Sequence, residues 1–312
     1  KKSVMQKNET IIHIGTHKAG STFVQGELLP KLKNINPLTF YKKNDFLEKE
    51  FLYISQCAEI YYDNQVELAI SKSLKKLKNI FISSETLSGT GYNVFTGGFL
   101  INDIANRLHR IFPKGRIIII IRNQKDAVES YYKDDVKLGF LGDYKSWLKY
   151  RADNCQLNYF KYFNMINTYF KIFGKKNVNV ILFEKLFNKD YLKYNLENFG
   201  IDTSGIENVN FNKRYNETYL PITLKITPLI NRFFGSKLTH GVTHGSDPRL
   251  RVYNLWRNYL SEHFNKLSLL IGMKKSKFEF SGYDSFLNDQ FHNNNVKLSK
   301  LIDVNLEKQG YI

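Results

Sequence analysis

The stretch from Thr10 to Phe23 reads Thr-Ile-Ile-His-Ile-Gly-Thr-His-Lys-Ala-Gly-Ser-Thr-Phe and constrains the fold more tightly than any other part of the chain. Ile11, Ile12 and Ile14 are apolar and β-branched, which favours a short buried strand. Gly15 ends that strand, and Gly20, Ser21 and Thr22 complete a Gly-x4-Gly-x-Thr frame, the spacing of a phosphate-binding loop. In an ATPase the residue after the second glycine would be lysine. Here it is Ser21, and the loop's lysine is Lys18, two residues before Gly20. The physics of the loop does not depend on that placement. Glycines let the backbone curl so that successive N–H groups converge on an anion. The following helix adds its positive N-terminal end. Ser21 and Thr22 bring hydroxyls, and Lys18 brings a mobile charge. The alternative is an ordinary βα turn that contains glycine.

An anion-binding loop suits the charge of the whole chain. Lys and Arg number 46 against 29 Asp and Glu, a net charge of +17, which predicts acidic partners such as nucleotides, acidic polymers or an anionic membrane face. The scattered lysines amid abundant Asn, Tyr and Phe have a second reading, the coding bias of an AT-rich genome. Two cysteines, Cys57 and Cys155, cannot build a disulfide framework or a structural zinc site, so a reducing, cytoplasmic compartment is expected. The longest unbroken apolar run, Ile117 to Ile121, is far below the roughly 18 residues of a membrane span. No signal peptide is read, and because the first residue is Lys1 a missing N-terminal segment is expected.

Taken in order, Lys1–Glu9 is polar and is read as loose, and the first strand covers Ile11–Gly15. A helix is expected over about Ser21–Leu32, burying Phe23, Val24, Leu28 and Leu29, with Pro37 closing the unit. Asp45 to Leu77 reads as two or three helices, Asn79–Ser83 as the second strand, Leu87–Gly98 as a loop and Phe99–Ile111 as a helix. The third strand, Arg116–Ile121, holds five consecutive isoleucines, which implies cover on both faces as in a parallel sheet. A helix carrying Ala127, Val128, Tyr131 and Tyr132 follows. Then come a long helix over Asn154–Phe173, a fourth strand over Asn177–Phe183 and a helix over Lys189–Phe199. Tyr219–Phe234 reads as a helix bent by Pro221 and Pro228, Asp247-Pro248 opens another to about Ile271, and a last helix covers Asn293–Lys308. The alternation predicts an α/β fold, a doubly wound parallel sheet with a P-loop-like core and a helical C-terminal part, in one domain over residues 1–312.

Ligands of open parallel sheets sit at the carboxyl ends of the strands. The first strand delivers Lys18, Gly20, Ser21 and Thr22, the second Ser83, Ser84 and Glu85, and the third Arg122 with Ser130 eight residues on. No strand ends in an isolated aspartate that would organise Mg²⁺, and the third ends in arginine, which suits a second anionic group. Two anion sites suggest a nucleotide phosphorylated at both ends. At these residues the sequence resembles sulfotransferases that use 3′-phosphoadenosine 5′-phosphosulfate (PAPS). Gly15-Thr-His-Lys-Ala-Gly-Ser-Thr22 is similar to their 5′-phosphosulfate loop, and Arg122-Asn-Gln-Lys-Asp-Ala-Val-Glu-Ser130-Tyr-Tyr to their 3′-phosphate motif, with Gln124 in place of the usual proline. Ile80 to Glu85 and the closing Gly310-Tyr311 are similar to bacterial, carbohydrate-type members.

The resemblance implies in-line attack of an acceptor hydroxyl on sulfur, with adenosine 3′,5′-bisphosphate (PAP) leaving and no metal required. It implies a donor site made of Gly15, Thr16, Lys18, Ala19, Gly20, Ser21 and Thr22 at the 5′ end, with Arg122 and Ser130 at the 3′ end, and Lys18 placed for the leaving oxygen. A general base is also needed. Glu85 is the first candidate, with a capping role or a pair with Lys18 as its alternative. His17 is the second, with packing on adenosine or solvent as its alternative. His240 and His244 lack the further ligands of a metal site, and Arg214, Arg249 and Arg251 are read as further grips on donor or acceptor, or as surface charges. The expected acceptor is a carbohydrate: a cell-surface or capsular glycan, an acidic polysaccharide or a lipid-linked glycan, with peripheral association at the inner membrane surface. Two rivals stand beside this reading, a P-loop nucleotide or small-molecule kinase and a basic nucleic-acid-binding protein. The misplaced lysine argues against the first, and the want of a basic element interleaved with aromatics against the second.

Overall fold

The structure, a computed structural model, describes residues 10–39, 47–89, 98–213, 221–234, 255–270 and 281–311. The expectations for Lys1–Glu9, Arg214, His240, His244, Asp247-Pro248, Arg249 and Arg251, and most of the Leu87–Gly98 loop, lie outside these residues. Five strands form one all-parallel sheet: β1 (Thr10–Gly15), β2 (Asn36–Thr39), β3 (Ile80–Ser84), β4 (Arg116–Ile121) and β5 (Val178–Leu182). Their order is β2-β3-β1-β4-β5, so β1 is central and the chain moves out to either side of it. That is the doubly wound α/β arrangement the alternation predicts.

The helices follow from the same periodicities. α1 (Ser21–Phe23) continues as a π-helical turn over Val24–Leu28. α2 (Glu48–Gln56), α3 (Gln65–Leu74) and α4 (Ile101–Ile111) come next. α5 (Gln124–Leu138), α6 (Tyr144–Asp153), α7 (Tyr162–Phe173), the short α8 (Phe183–Leu186) and α9 (Lys189–Asn198) flank β4 and β5 in sequence. α10 (Pro221–Phe234), α11 (Ser261–Leu270) and α12 (Asp284–Ile302) form the helical C-terminal part. On one face of the sheet, Ile11, Phe81, Ile118, Ile120 and Ile181 pack with Ala19, Phe23, Val24 and Leu28, and with Leu192 and Leu196 of α9. On β4 and β5, α7 packs in turn and carries α4 against it. Ile117 to Ile121 are at most 2% exposed, as a strand covered on both faces requires.

Four local expectations are corrected. Pro37 does not close the first unit but sits in the edge strand β2, parallel to β3 with Leu38 opposite Ile82. An edge tolerates proline because its missing N–H can face away from the ladder. The first helix ends its regular hydrogen bonding early, with Leu29 N donating to Val24 O across a π-turn. The expected helix over Asn154–Phe173 is two pieces, a 3-10 segment over Gln156–Phe160 and then α7, separated at Lys161 with ψ at 70°. That break lets Tyr159, Phe160 and Tyr162 all be buried, which one straight helix would not allow. The last helix begins at Asp284 and ends at Ile302, earlier at both ends than read. α6, capped by Asp143 accepting from Ser146 N at 2.8 Å, was not anticipated.

The chain divides into two compact units, one of residues 1–124, 155–215 and 288–312, the other of 125–154 and 216–287. The first contains the sheet. In the second, the buried Asp135 carboxylate accepts from Trp147 Nε1 at 2.6 Å and pairs with Arg151, and Asn231 Nδ2 donates to Val136 O at 3.0 Å.

Gln124, which stands where a proline is usual in the resembled motif, is fully buried in the first unit. Its Nε2 donates to Asn295 Oδ1 at 2.7 Å, and Asn295 Nδ2 donates back to Gln124 Oε1 at 3.1 Å. This reciprocal amide pair ties the end of β4 to α12. Gln124→Leu strands the Asn295 amide and is expected to lower stability by about 1–3 kcal/mol, whereas Gln124→Leu with Asn295→Leu should recover most of the loss. Urea midpoints of the three proteins check this.

Candidate active site

Sheet register brings three strand ends to one level. Ile14 is opposite Ser84 on one side of β1, and Gly15 is opposite Ile120 on the other. The residues that follow are the loop from Thr16, Glu85, and Arg122. The three groups that the sequence assigned to separate strands therefore emerge side by side, at the point where the sheet reverses its winding.

Within the loop, Gly15 is required because a Cβ there would collide with Ser21 Oγ. Gly20 has φ +88°, and a Cβ on it would lie 2.5 Å from Leu186 Cδ2. Lys18 has φ 65°, a left-handed conformation that an L side chain adopts at a cost of about 1–2 kcal/mol. Ala19 N donates to Thr16 O at 3.1 Å, closing the turn, and Ala19 is fully buried. Thr16 Oγ1 donates to Ile120 O at 2.7 Å, so this hydroxyl fastens the loop to β4. Ser21 Oγ is turned inward beneath Gly15 and is buried without a hydrogen-bond partner among the described residues. The group Ser21 presents at the helix start is its backbone N–H. Thr22 is half-buried one residue further on.

Arg122 reaches back to this loop. Its Nη1 donates to Lys18 O at 2.9 Å, and its guanidinium lies 4.6 Å from the centroid of the Phe183 ring. Its Nε is buried and has no hydrogen-bond partner among the described residues. Around it the chain closes a small network. Glu184 Oε1 accepts from Asn123 N at 2.7 Å, Asn123 Nδ2 donates to Gly310 O, and the Tyr311 hydroxyl lies 2.9 Å from Glu184 Oε2 and 3.1 Å from Ile121 O. Burial, with the Glu184 carboxylate beside it, pushes the Tyr311 phenol well above its ordinary pKa. Ser130 is half-buried on α5, within the second unit.

The two candidate bases form a pair: His17 Nδ1 is 3.2 Å from Glu85 Oε2, both side chains partly exposed. Glu85 is thus paired with His17, and it opens the 3-10 turn Glu85–Ser88. Two buried groups that the sequence reading passed over hold this region. Tyr159 OH accepts from His17 N at 2.9 Å and lies 2.7 Å from Ser88 Oγ, which in turn donates to Glu85 O at 2.7 Å. His13, fully buried on β1, has Nδ1 2.8 Å from Ser83 Oγ, and Gln25 Nε2 donates to the Ser83 oxygen at 3.1 Å. The polarity of His13 inside an otherwise isoleucine strand was the available signal. Tyr159 gave none, since an aromatic among aromatics reads as core. Among the described residues no cluster of three or more His, Cys, Asp or Glu is placed to hold a metal, and no helix is long and apolar enough to cross a membrane.

The model of the sulfotransferase domain matches residues 107–190, a segment that holds the Arg122 motif and begins after the glycine loop. This match supports the sulfotransferase resemblance and with it an enzyme of sulfo-group transfer. No curated protein matches the chain at a significant level. Solved structures similar to it include two sulfotransferases. A sulfotransferase from Alicyclobacillus acidocaldarius is 18% identical, with 72% of this chain and 94% of that one covered and a TM-score of 0.47. A mouse sulfotransferase complexed with PAP is 15% identical, with 95% and 89% covered and a TM-score of 0.43.

Burial pushes the His13 imidazole down from 6.5 to about 3. Unfolding frees it to bind a proton that the folded site refuses, so below pH 6.5 the unfolded state holds more protons. Its contribution to stability is therefore complete above pH 6.5 and is lost as the pH falls from 6.5 toward 3. Urea unfolding across that range should show wild type losing stability more steeply than His13→Asn. Parallel curves would remove His13 as the source.

Proposed function

We propose that the chain transfers a sulfo group from PAPS to a hydroxyl of a cell-surface or capsular glycan, releasing PAP. The observation that carries this reading is the level placement of the glycine loop, Glu85 and Arg122 at three adjacent strand ends. The residues there fit a phosphorylated donor. The loop curls through a left-handed Lys18 and Gly20 into a helix N-terminus, and a buried Arg122 Nε has no acceptor among the described residues. When bound, PAPS supplies a sulfur–oxygen bond whose leaving group is the phosphate of PAP.

The loop amides and the start of α1 hold the 5′ phosphate, Lys18 neutralises charge on the leaving oxygen, and Arg122 holds a second phosphate by charge-assisted hydrogen bonds. Glu85 takes the acceptor's hydroxyl proton while the acceptor oxygen bonds to sulfur and the sulfur–phosphate oxygen bond breaks, its electron pair leaving with that oxygen. His17 Nδ1–H orients the Glu85 carboxylate from 3.2 Å and leaves its other oxygen for the acceptor. The net charge of +17 and the 15% aromatic content suit a sugar acceptor bearing uronic acids or sulfates, either an acidic polysaccharide or a lipid-linked glycan met at the inner membrane surface in the cytoplasm.

Calorimetry with PAP in the absence of metal, beside ATP with Mg²⁺, tests the donor site. PAP binding supports the proposal, and binding of ATP–Mg²⁺ alone points to a kinase. Arg122→Ala, with its fold confirmed by circular dichroism, should weaken PAP about 10- to 100-fold, the equivalent of one charged hydrogen-bond set. In a screen of desulfated and capsular glycans with labelled PAPS, Glu85→Gln should keep PAP binding and lose turnover by about a hundredfold or more. Turnover near wild type would discard Glu85 as the base.

A further inference from the structure

We infer that Tyr159, acting through Ser88, is the positioning residue of the His17–Glu85 pair. The inference rests on the reading of that pair as the acid–base centre, and it concerns what holds the pair rather than what the pair does.

The direction of the hydrogen bonds follows from proton counting. Tyr159 OH accepts the His17 backbone N–H at 2.9 Å. Ser88 Oγ donates its one proton to Glu85 O at 2.7 Å. The 2.7 Å contact between the two hydroxyls therefore runs from Tyr159 to Ser88. The chain His17 N–H to Tyr159 to Ser88 to Glu85 O is thus continuous and fully satisfied. It connects the backbones of the two residues whose side chains meet at 3.2 Å.

His17 lies in the loop after β1 and Glu85 in the turn after β3, and the residues level with them in the ladder, Ile14 and Ser84, are the last paired on that side. Beyond the ladder, sheet hydrogen bonds no longer fix the spacing of the two segments. The Tyr159–Ser88 bridge takes over where the ladder stops. Tyr159 is 2% exposed and Ser88 0%, so water does not compete for these bonds. The ring of Tyr159 packs edge-on against that of Phe160, which is fully buried without a hydroxyl of its own. The hydroxyl is the part left to explain, and it reaches the His17 backbone N–H directly and the Glu85 carbonyl through Ser88 Oγ.

Tyr159→Phe removes that hydroxyl and keeps the ring. The direct readout is the imidazole Nδ1–H resonance of His17 in protein labelled with ¹⁵N-histidine, assigned by its loss in His17→Asn. Wild type is expected to show it shifted downfield, Glu85→Gln to move it, and Tyr159→Phe and Ser88→Ala to broaden or move it in the same sense. PAP affinity by calorimetry should stay within about threefold of wild type in Tyr159→Phe. Turnover of labelled PAPS should fall about tenfold to a hundredfold, as expected for misplacement near 1 Å. The double variant Tyr159→Phe/Glu85→Gln should be no slower than Glu85→Gln alone. An unchanged His17 resonance in both single variants overturns the inference, as does an additive loss in the double variant. Loss of the cooperative fold in both single variants also overturns it, because the bridge would then hold the fold and not the pair. Absence of PAP binding by wild type would instead overturn the proposed function, and it leaves the resonance test of the bridge intact.

Discussion

A central strand that pairs in parallel with neighbours on both edges cannot slip by one residue without turning every side chain to the wrong face. β1 is held in this way, with Ile12 opposite Ile82 on one side and Ile117 on the other. Everything that can do chemistry here depends on that register. It brings the ends of β1, β3 and β4 together, so a loop, a carboxylate and a guanidinium leave neighbouring strands of the sheet. The apolar strands supply the force, since isoleucines buried on both faces leave the sheet no alternative alignment of comparable burial.

Beyond the end of the ladder the geometry passes to buried polar groups. Thr16 Oγ1 on Ile120 O fastens the loop to β4, and Arg122 Nη1 on Lys18 O fastens β4 back to the loop. Tyr159 and Ser88 join the loop to the turn after β3, and Gln124 with Asn295 joins β4 to the last helix. Each of these groups would be costly to bury alone and becomes stabilising only when its partner is present. Around the candidate site, a set of such bonds locks in place segments that sheet and helix hydrogen bonding do not reach. Backbone strain is present in the same place: Lys18 keeps a left-handed conformation in the loop, its carbonyl held by Arg122.

Much of the core was legible because it rests on local patterns. Ile117 to Ile121 could be nothing but a strand covered twice, and the boundaries Arg116–Ile121 are those observed. Phe23, Val24, Leu28 and Leu29, read as the buried side of the first helix, are each at most 2% exposed. The misreadings share a cause. β2 exists because β3 offers a free edge, and a Pro-containing tetrapeptide has no propensity of its own to announce it. The break before α7 exists because Tyr159 and Phe160 must face one neighbour and the residues after Tyr162 another, while aromatic periodicity alone reads as one helix.

By itself the sequence determined which residue types end each strand: glycines and a lysine after the first, a glutamate after β3, an arginine after β4. Those are properties of short windows, where propensity, spacing and charge act over a few residues. Only the tertiary structure decided that these ends are neighbours, that His17 pairs with Glu85, that Ser21 Oγ turns inward, and that a tyrosine about 70 residues from Ser88 joins it to the loop. The reason is that a hydrogen bond between distant segments is specified by where the fold brings them. A hydroxyl gives no hint in sequence of which partner burial will leave it.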